Sequence, residues 1–389
     1  MVKNTAPAPY RRLSSYYFFY FASLGVLVPY WSLYLKSLGF SAQAIGTLIA
    51  FIPATKIFAP YILGGLADHT QKPMFIIRIA SLLAVFAFAG VFFDSSYWWL
   101  ALVMFSFSFF WNSSLPLFEA TTLNHLGDKS HLYSTIRLWG SLGFILMVVL
   151  MGEYFESSGI DQLPMVLLVL LLGILLISLI VPERLQQHSE AQSHIMRVVR
   201  QPAVMAFLVV CFLMVFSHGV YYTFYSIYLE ELGYSRRMIG ILWAVGVMAE
   251  VIIFLLMHRM LPAMGVRKLL LITLALTALR WLMIGFFPEH LGILFFAQLF
   301  HAFSFGVFHA VSISLVHQFF KGKHQGRGQA LYASLSFGAG GAAGSLSSGM
   351  LWDRMEHAYL FTLAAAIALL AMFIVWRFLH TGSDISTAS

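Results

Sequence analysis

Hydrophobic stretches alternate with short polar turns along the whole chain. Twelve of these stretches approach or exceed the roughly 20 apolar residues that a helix needs to cross a bilayer. The predicted helices cover residues 13–36, 41–66, 73–93, 96–122, 132–152, 163–181, 203–230, 237–257, 267–287, 290–317, 328–351 and 357–379. The pattern therefore predicts an all-α membrane protein with twelve transmembrane helices.

The composition agrees with this pattern. Of the 389 residues, 60% are hydrophobic and 10% are charged, whereas soluble domains have roughly 45–50% apolar and about 25% charged residues. The predicted helices leave no stretch for a soluble catalytic domain, and no nucleotide or metal motif is found, so we expect neither enzymatic activity nor a cofactor or metal. The single cysteine, Cys211, excludes a disulfide within the chain.

The basic residues are unevenly distributed between the loops. If both ends of the chain are cytoplasmic, fifteen Lys and Arg residues lie in the inner loops and tails and only four in the outer loops. This bias follows the positive-inside rule and predicts cytoplasmic termini. It also accounts for the net charge of +7 better than nucleic-acid binding does, because the basic residues form no stripe.

The two halves of the chain are related in sequence. Residues 31–48 align without a gap on residues 225–242, with identities at Gly and Ser that apolar bias alone does not produce. Six predicted helices separate the copies, so both halves have the same orientation, as in transporters built from parallel repeats. The predicted domains are an N-terminal six-helix bundle (1–181), a cytoplasmic linker (182–200), a C-terminal six-helix bundle (201–380) and a tail (381–389).

Ionisable residues within predicted helices are the candidate functional residues, because each is costly in a bilayer unless it faces a partner or a cavity. Residues equidistant from a tight turn lie at equal depth on neighbouring helices. By this rule Glu119 and Arg137 can pair, either in a functional site or as a structural ion pair. Glu250, Arg280 and His301 share a level near the midplane, where a functional role is favoured.

Three further features lie in the predicted helices. Lys56 is the repeat mate of Glu250, although it can also snorkel, and His309 lies on the helix of His301 as a proton carrier or a packing residue. Tyr221 and Tyr225 belong to a polar stripe on the seventh helix, where packing is the alternative to lining a cavity. The small residues of 338–344 favour close helix packing or hinge motion.

The loop after the second predicted helix, residues 64–72 (GGLADHTQK), resembles the loop signature of the major facilitator superfamily. His69 replaces the usual basic residue, Gln71 replaces the second glycine, and the second half keeps a shorter version, Gly265-Val-Arg267-Lys268. The resemblance implies the major facilitator fold with its two six-helix pseudo-repeats. It also implies that Asp68, Lys72 and Arg267 take part in gating.

Within that superfamily the chain is most similar to the proton-coupled branch of lactose permease, nucleoside symporters and phenylpropionate permeases. The segment Arg137–Phe144, with Glu119 before it, is similar to that branch's arginine motif, and segments 243–254, 280–281 and 298–309 are most similar to the phenylpropionate permeases. Ser304 stands where lactose permease has a carboxylate. The resemblance implies symport by alternating access in a bacterial inner membrane, with protons favoured over sodium.

The buried cations outnumber the buried carboxylates, which favours a small organic anion, specifically an aromatic carboxylate such as phenylpropionate, as substrate. The alternatives are a sugar or nucleoside symporter, drug efflux, and a passive channel or sensor. We expect a monomer whose partners are substrate, protons and the lipid bilayer. The assigned residues are Arg137, Glu119, Arg280, Lys56, Tyr221 and Tyr225 for substrate, Glu250, His301, Glu119 and His309 for protons, and Asp68, Lys72 and Arg267 for gating.

Overall fold

The computed structural model describes residues 9–184 and 195–379, and within these ranges the regular secondary structure is entirely helical. The helices before residue 184 are α1 (Tyr10–Ser37), α2 (Ala42–Thr55), α3 (Ala59–Thr70), α4 (Pro73–Ala89), α5 (Tyr97–Leu126), α6 (Tyr133–Ser158) and α7 (Leu163–Ile180).

The helices after residue 195 include several that continue directly into one another. They are α8 (Met196–Val199), α9 (Pro202–Ser217), α10 (Gly219–Glu231), α11 (Arg236–Met264), α12 (Val266–Phe286), α13 (Leu291–Leu299), α14 (Phe308–Phe319), α15 (Gln325–Ala333), α16 (Gly341–Leu351) and α17 (His357–Phe378). Two π-helical segments, Ala302–Val307 and Ser334–Gly340, connect α13 to α14 and α15 to α16.

Ten helical stretches of the described chain are long and apolar enough to cross a membrane. One of them, Tyr97–Ser158, has 62 residues, about 93 Å at 1.5 Å per residue, and therefore contains two spans, α5 and α6. The interrupted stretch Gln325–Leu351 is a further span. The predicted twelve transmembrane helices are confirmed.

The repeated glycines and serines have the same local role in both halves. Gly39 and Gly233 follow α1 and α10 with φ angles of 82° and 84°, a conformation that glycine adopts at little cost. Ser41 and Ser235 then cap α2 and α11 by accepting backbone N–H hydrogen bonds at 3.3 and 3.2 Å. The repeat thus preserves the turn that reverses the chain between consecutive spans.

The helices pack into two compact units. One comprises the described residues within Met1–Trp31 and Phe58–Ser189, and the other those within Ser32–Ile57 and Glu190–Ser389. In the predicted division into bundles 1–181 and 201–380, residues 32–57 belong to the first half. They group with the second unit in the structure because α2 packs closely on α16. Most of the predicted linker and the whole predicted tail lie outside the described residues.

Glycines set the distance between α16 and its neighbours in the second unit. A Cβ atom at Gly344 would lie 2.5 Å from the carbonyl oxygen of Phe216 in α9. On another side, a Cβ atom at Gly349 would lie 2.8 Å from Cα of Gly46 in α2. Larger side chains would force these helices apart, so the predicted close packing of the small-residue segment is confirmed.

In the first unit, α4 and α7 cap one another. Arg78 of α4 donates hydrogen bonds to the carbonyl oxygens of Ser178 and Val181 at 3.1 and 2.7 Å. Glu183 accepts from the backbone N–H groups of Met74 and Phe75 at 3.0 and 2.9 Å. These side chains satisfy backbone groups that helix ends leave unpaired, and the carboxylate also complements the dipole of α4.

Candidate functional site

Glu250 and His301 form a close pair within the second unit. Oε1 of Glu250 lies 2.7 Å from Nε2 of His301, and the two side chains are 12% and 5% exposed. Glu250 is on α11, and His301 precedes the π-helical segment Ala302–Val307. A carboxylate oxygen and an imidazole nitrogen at this distance can share a proton as acceptor and donor, so the pair is a chemically competent proton site. Their predicted common depth is confirmed.

Arg280, on α12, is completely buried beside this pair. Its guanidinium lies over the rings of Tyr221 and Trp281, at 4.2 and 4.7 Å from their centroids. The guanidinium nitrogens donate to Ala297 O at 3.2 Å, Ser304 Oγ at 3.0 Å and Gln298 Oε1 at 3.1 Å. Arg280 therefore bonds to protein groups that precede and follow His301 in the chain, whereas the sequence assigns Arg280 to substrate binding.

Gln298 joins the seventh span to this cluster. Its carboxamide oxygen accepts from the hydroxyl of Tyr221 at 3.0 Å, and its amide group donates to the hydroxyl of Tyr225 at 2.6 Å. Both tyrosines are at most 1% exposed. Tyr221 and Tyr225 are therefore packed around Gln298, whereas the sequence assigns them to substrate. Residue spacing predicts that they share one helix face, but it does not predict which way that face points.

Two ring nitrogens remain unsatisfied in this part of the second unit. Nδ1 of His301 and Nε2 of His218 are buried and have no hydrogen-bond partner among the described residues. His218 separates α9 from α10, and its Nδ1–H donates to Met214 O at 2.7 Å. A small cavity lies between His218, Tyr222 and Ser304. Its lining includes Ser304, whose hydroxyl accepts a hydrogen bond from Arg280.

His309 lies on the same span as His301, beyond the π-helical segment. The ring of Phe305 stacks between them, with centroid distances of 5.7 Å to His301 and 6.2 Å to His309. Nδ1 of His309 lies 3.3 Å from the hydroxyl of Tyr332. The predicted common face of the two histidines is confirmed. A π-helical segment of this kind is often associated with function in transmembrane and soluble helices alike.

Lys56 lies where the second span is interrupted between α2 and α3. Its backbone N–H donates to Pro53 O at 3.0 Å, and its half-buried ammonium has no hydrogen bond or ion pair within the described ranges. The adjacent Ile57 accepts a hydrogen bond from Ser334, in the second π-helical segment, at 3.3 Å. Lys56 is therefore a cation at a break in a span, a position that suits an anionic ligand.

A second cluster lies in the first unit, around Glu119 and Arg137. Nε of Arg137 is 4.0 Å from Oε1 of Glu119, and the side chains are 31% and 37% exposed. The guanidinium carbon lies 3.8 Å from the ring centroid of Phe21 and 5.7 Å from that of Tyr17. The pair predicted from α5 and α6 is thus present, but it is loose and leaves guanidinium donors accessible.

The glycines of the arginine motif explain this arrangement. A Cβ atom at Gly140 would lie 2.8 Å from both Nη1 of Arg137 and Cδ2 of Phe21. Gly143, one turn further along α6, contacts the backbone of Phe18 in α1. The two glycines bring α1 and α6 together, so that the Phe21 ring can support the guanidinium.

The predicted gating residues are at helix ends. Asp68 and Lys72 are exposed at the end of α3 and before α4, and Arg267 at the start of α12 donates to Trp376 O at 2.8 Å. Gln71, which replaces the signature glycine, has φ 55° and ψ 20°. This left-handed conformation is the physical reason for glycine in the signature, and Gln71 adopts it at a cost.

No group of three or more His, Cys, Asp or Glu side chains suited to a metal ion occurs in the part of the chain that the structure describes. Each unit contains one cluster in which an arginine lies against aromatic rings. The cluster around Arg137 has accessible donors, and the cluster around Arg280 has a buried carboxylate and imidazole. The first suits ligand binding and the second suits proton exchange.

Comparisons with known proteins indicate the family of this chain. The sequence pattern of the MFS_1 like family matches residues 10–363. A protein of Escherichia coli (strain K12) described as a probable 3-phenylpropionic acid transporter is 30% identical over 376 residues, which cover 94% of this chain and 96% of the relative. The maltose permease of Geobacillus stearothermophilus is 24% identical over 349 residues, covering 88% and 87%.

Solved structures give the same fold at lower identity. A mutant of the nucleoside transporter NupG superimposes with a TM-score of 0.85 at 16% identity, covering 94% of this chain and 98% of NupG. The POT family transporter PepTSo gives a TM-score of 0.77 at 12% identity, covering 95% and 96%. The predicted major facilitator fold is confirmed.

Proposed function

The chain belongs to the MFS_1 like family of multi-pass membrane transporters, and from that premise we propose that it takes up a small aromatic carboxylate together with protons by alternating access. The observation that carries the proposal is the environment of Arg137. Its guanidinium is partly exposed, rests on the Phe21 ring and is held only loosely by Glu119. A guanidinium with accessible donors binds a carboxylate through two parallel hydrogen bonds.

The aromatic part of the substrate follows from the same cluster. Phe21 and Tyr17 lie against the guanidinium, so a ring attached to the bound carboxylate has aromatic surface beside it. The E. coli relative is described as a probable 3-phenylpropionic acid transporter, which supports this substrate class. We assign carboxylate binding to Arg137. Lys56, which has no protein counter-ion among the described residues, is a separate candidate for contact with the anion.

Proton coupling is assigned to Glu250 and His301. Their 2.7 Å contact is almost completely buried, and a group that exchanges a proton within a membrane protein needs such a partner when it is shielded from water. Glu119 is the next candidate because it is the carboxylate nearest the proposed substrate site. His309 is the last candidate, because the Phe305 ring stacks between it and His301 on the same span.

We further propose that the protein acts as a monomer in a bacterial inner membrane with both termini cytoplasmic. The uneven distribution of Lys and Arg between alternate loops supports this orientation. In that orientation Asp68, Lys72 and Arg267 lie at the cytoplasmic face, where they serve as gating residues. Asp68 and Lys72 are exposed and Arg267 is partly buried at the ends of their helices, positions that suit contacts that form and break during transport.

Sugar symport is the second candidate. The similarity to a maltose permease favours it, and a glutamate 4.0 Å from an arginine can hold sugar hydroxyls as acceptor and donor. Counterflow in proteoliposomes distinguishes the candidates. Labelled 3-phenylpropionate should enter faster when the vesicles are preloaded with the unlabelled acid. Labelled maltose or nucleoside should not enter faster when the vesicles are preloaded with the same unlabelled compound. The reverse result rejects the carboxylate assignment.

A further inference from the structure

Gln298 bonds to both the buried Arg280 and two tyrosines of the seventh span, Tyr221 and Tyr225. We propose that it is a positioning residue that fixes the charge of Arg280 beside the Glu250–His301 pair and so sets the pH at which the pair exchanges its proton. The inference rests on the proposed proton coupling by this pair. It adds a residue that the sequence pattern did not identify as functional.

The orientation of the Gln298 carboxamide is determined by its partners. Arg280 has only donors, so the atom 3.1 Å from its Nη2 has to be the carboxamide oxygen. The same oxygen accepts from Tyr221 at 3.0 Å, and the amide nitrogen donates to Tyr225 at 2.6 Å. Gln298 is fully buried. Its position is therefore fixed by three hydrogen bonds, which leave it little freedom to rotate.

Gln298 and His301 pack on the same part of α11. A Cβ atom at Gly246 would lie 3.1 Å from Cδ2 of His301 and 3.3 Å from Oε1 of Gln298. Gly246 is one turn before Glu250, so this face of α11 presents the carboxylate to His301 and receives the carboxamide beside it. A shift of the carboxamide therefore affects a surface that also supports the imidazole.

Arg280 is held from both sides of His301 along the chain. Gln298 is three residues before His301 and Ser304 is three residues after it, and both accept from the guanidinium. A fixed positive charge beside a proton site changes the free energy of adding or removing the proton, by an amount that depends on its distance. Loss of either acceptor lets the guanidinium move, and the proton affinity of the pair changes with it.

The other ionisable groups that face the pair come from the seventh and ninth spans. They are His218, Tyr221, Tyr222 and Arg280. Of these, only Tyr221 and Arg280 bond to Gln298. An effect of Gln298 on proton exchange therefore acts through the position of Arg280 and the tyrosine that stacks on it.

The test uses Gln298→Met, which keeps the length of the side chain and removes all three hydrogen bonds. The full-length protein is purified, and its tryptophan fluorescence is titrated with pH, because Trp281 lies 4.7 Å from the Arg280 guanidinium. In proteoliposomes, the pH profile of proton-driven 3-phenylpropionate uptake and the counterflow of the same acid at equal pH are measured. We expect both pH midpoints to move by about one unit, which corresponds to a tenfold change in proton affinity, with counterflow changed less than about twofold.

Gln318→Met is the matched control, because Gln318 is an exposed glutamine of α14 in the same span. This variant should leave both pH midpoints unchanged. Ser304→Ala removes the other side-chain acceptor of Arg280 and should move the midpoints in the same direction as Gln298→Met. It also replaces Gln298→Met if that variant does not fold. Tyr225→Phe keeps the acceptor for Arg280 and should have the smaller effect.

Unchanged midpoints in both Gln298→Met and Ser304→Ala would overturn the proposal. So would a loss of counterflow in a folded Gln298→Met protein, because that result assigns Gln298 to substrate binding. Failure of the proposed function has a different signature: the wild type does not accumulate the acid under a proton gradient. The fluorescence titration then still decides whether Gln298 sets the proton affinity of the pair.

Discussion

His301 and Glu250 approach to 2.7 Å between Nε2 and Oε1, although 51 positions separate them in the chain. The contact joins α11 to the start of a π-helical segment in the tenth span. Two interacting groups at this distance titrate as a pair, so a measured pH midpoint belongs to both residues. The structure therefore predicts that substitution of either residue alters proton coupling, while the guanidinium of Arg137 stays available for substrate.

Glu250→Gln should abolish proton-driven accumulation of substrate while preserving substrate exchange across the membrane. The amide cannot carry the proton through the cycle, so proton-driven accumulation of 3-phenylpropionate should fall to the equilibrium level. Counterflow at equal pH should persist because it requires substrate movement without net proton movement. Proteoliposome uptake with and without a proton gradient measures both quantities. Accumulation that still follows the pH difference would exclude Glu250 as the proton site.

Arg137→Lys should weaken substrate binding although it keeps the charge. Lysine cannot offer two parallel hydrogen bonds or stack on Phe21 as a planar group, so we expect an apparent affinity roughly 10- to 100-fold lower. Equilibrium binding of 3-phenylpropionate to the purified protein measures the change. Arg354→Gln, which alters an exposed arginine, is the control. Wild-type affinity in Arg137→Lys would remove Arg137 from the binding site.

Glu119→Gln distinguishes an anionic substrate from a sugar. Glu119 lies 4.0 Å from Arg137 and competes with a bound carboxylate for the guanidinium. Its neutralisation should therefore preserve or strengthen binding of 3-phenylpropionate, by up to about fivefold, or about 1 kcal/mol. If the pair holds sugar hydroxyls, the same substitution removes an acceptor and weakens binding. The binding assay described for Arg137 gives the answer directly.

Gly140→Ala should disturb the substrate site without touching the substrate. The added Cβ atom would lie 2.8 Å from both Arg137 and Phe21, so the guanidinium has to leave its position on the ring. We expect binding to weaken by roughly 5- to 30-fold, as for the loss of about 1–2 kcal/mol. Gly65→Ala, on the exposed face of α3 with nothing within 4 Å, should bind as the wild type does.

Substrate-dependent accessibility tests alternating access. In a Cys211→Ser background, single cysteines replace Asp68 at the end of α3 and Glu231 at the end of α10, and a membrane-impermeant maleimide labels each in turn. Cys211 is 1% exposed, so it should react little with the maleimide, and its replacement removes the remaining background. We expect substrate to raise the labelling rate at one position and lower it at the other. Changes in the same direction at both positions would contradict a carrier cycle.

The sequence was sufficient to predict the spans and which charged residues on neighbouring helices lie close together. These properties depend on hydrophobic length, turn residues and the constant rise of a helix, all of which are local. For this reason Glu250 and His301 were placed together correctly. The same reasoning connected Glu119 to Arg137 across the turn between α5 and α6.

Rotation of each helix about its axis could not be predicted in this way. Because of this rotation, Arg280, Tyr221 and Tyr225 bond to Gln298 within the protein, whereas the guanidinium of Arg137 keeps accessible donors. A glutamine in an apolar span three residues before His301 was the available signal for Gln298. The π-helical segments and the packing of α2 on α16 depend on tertiary contacts, so the residue pattern gave no indication of them.

We propose that uptake of an aromatic carboxylate is driven by protons through Glu250 and His301. Proteoliposomes containing the purified protein are given labelled 3-phenylpropionate and an inward proton gradient, with protonophore-treated vesicles and Glu250→Gln vesicles alongside. We expect internal acid above the level that passive partition of the acid gives in protein-free vesicles, and a return to that level in both comparisons. Equal accumulation in wild-type, Glu250→Gln and protein-free vesicles would contradict it.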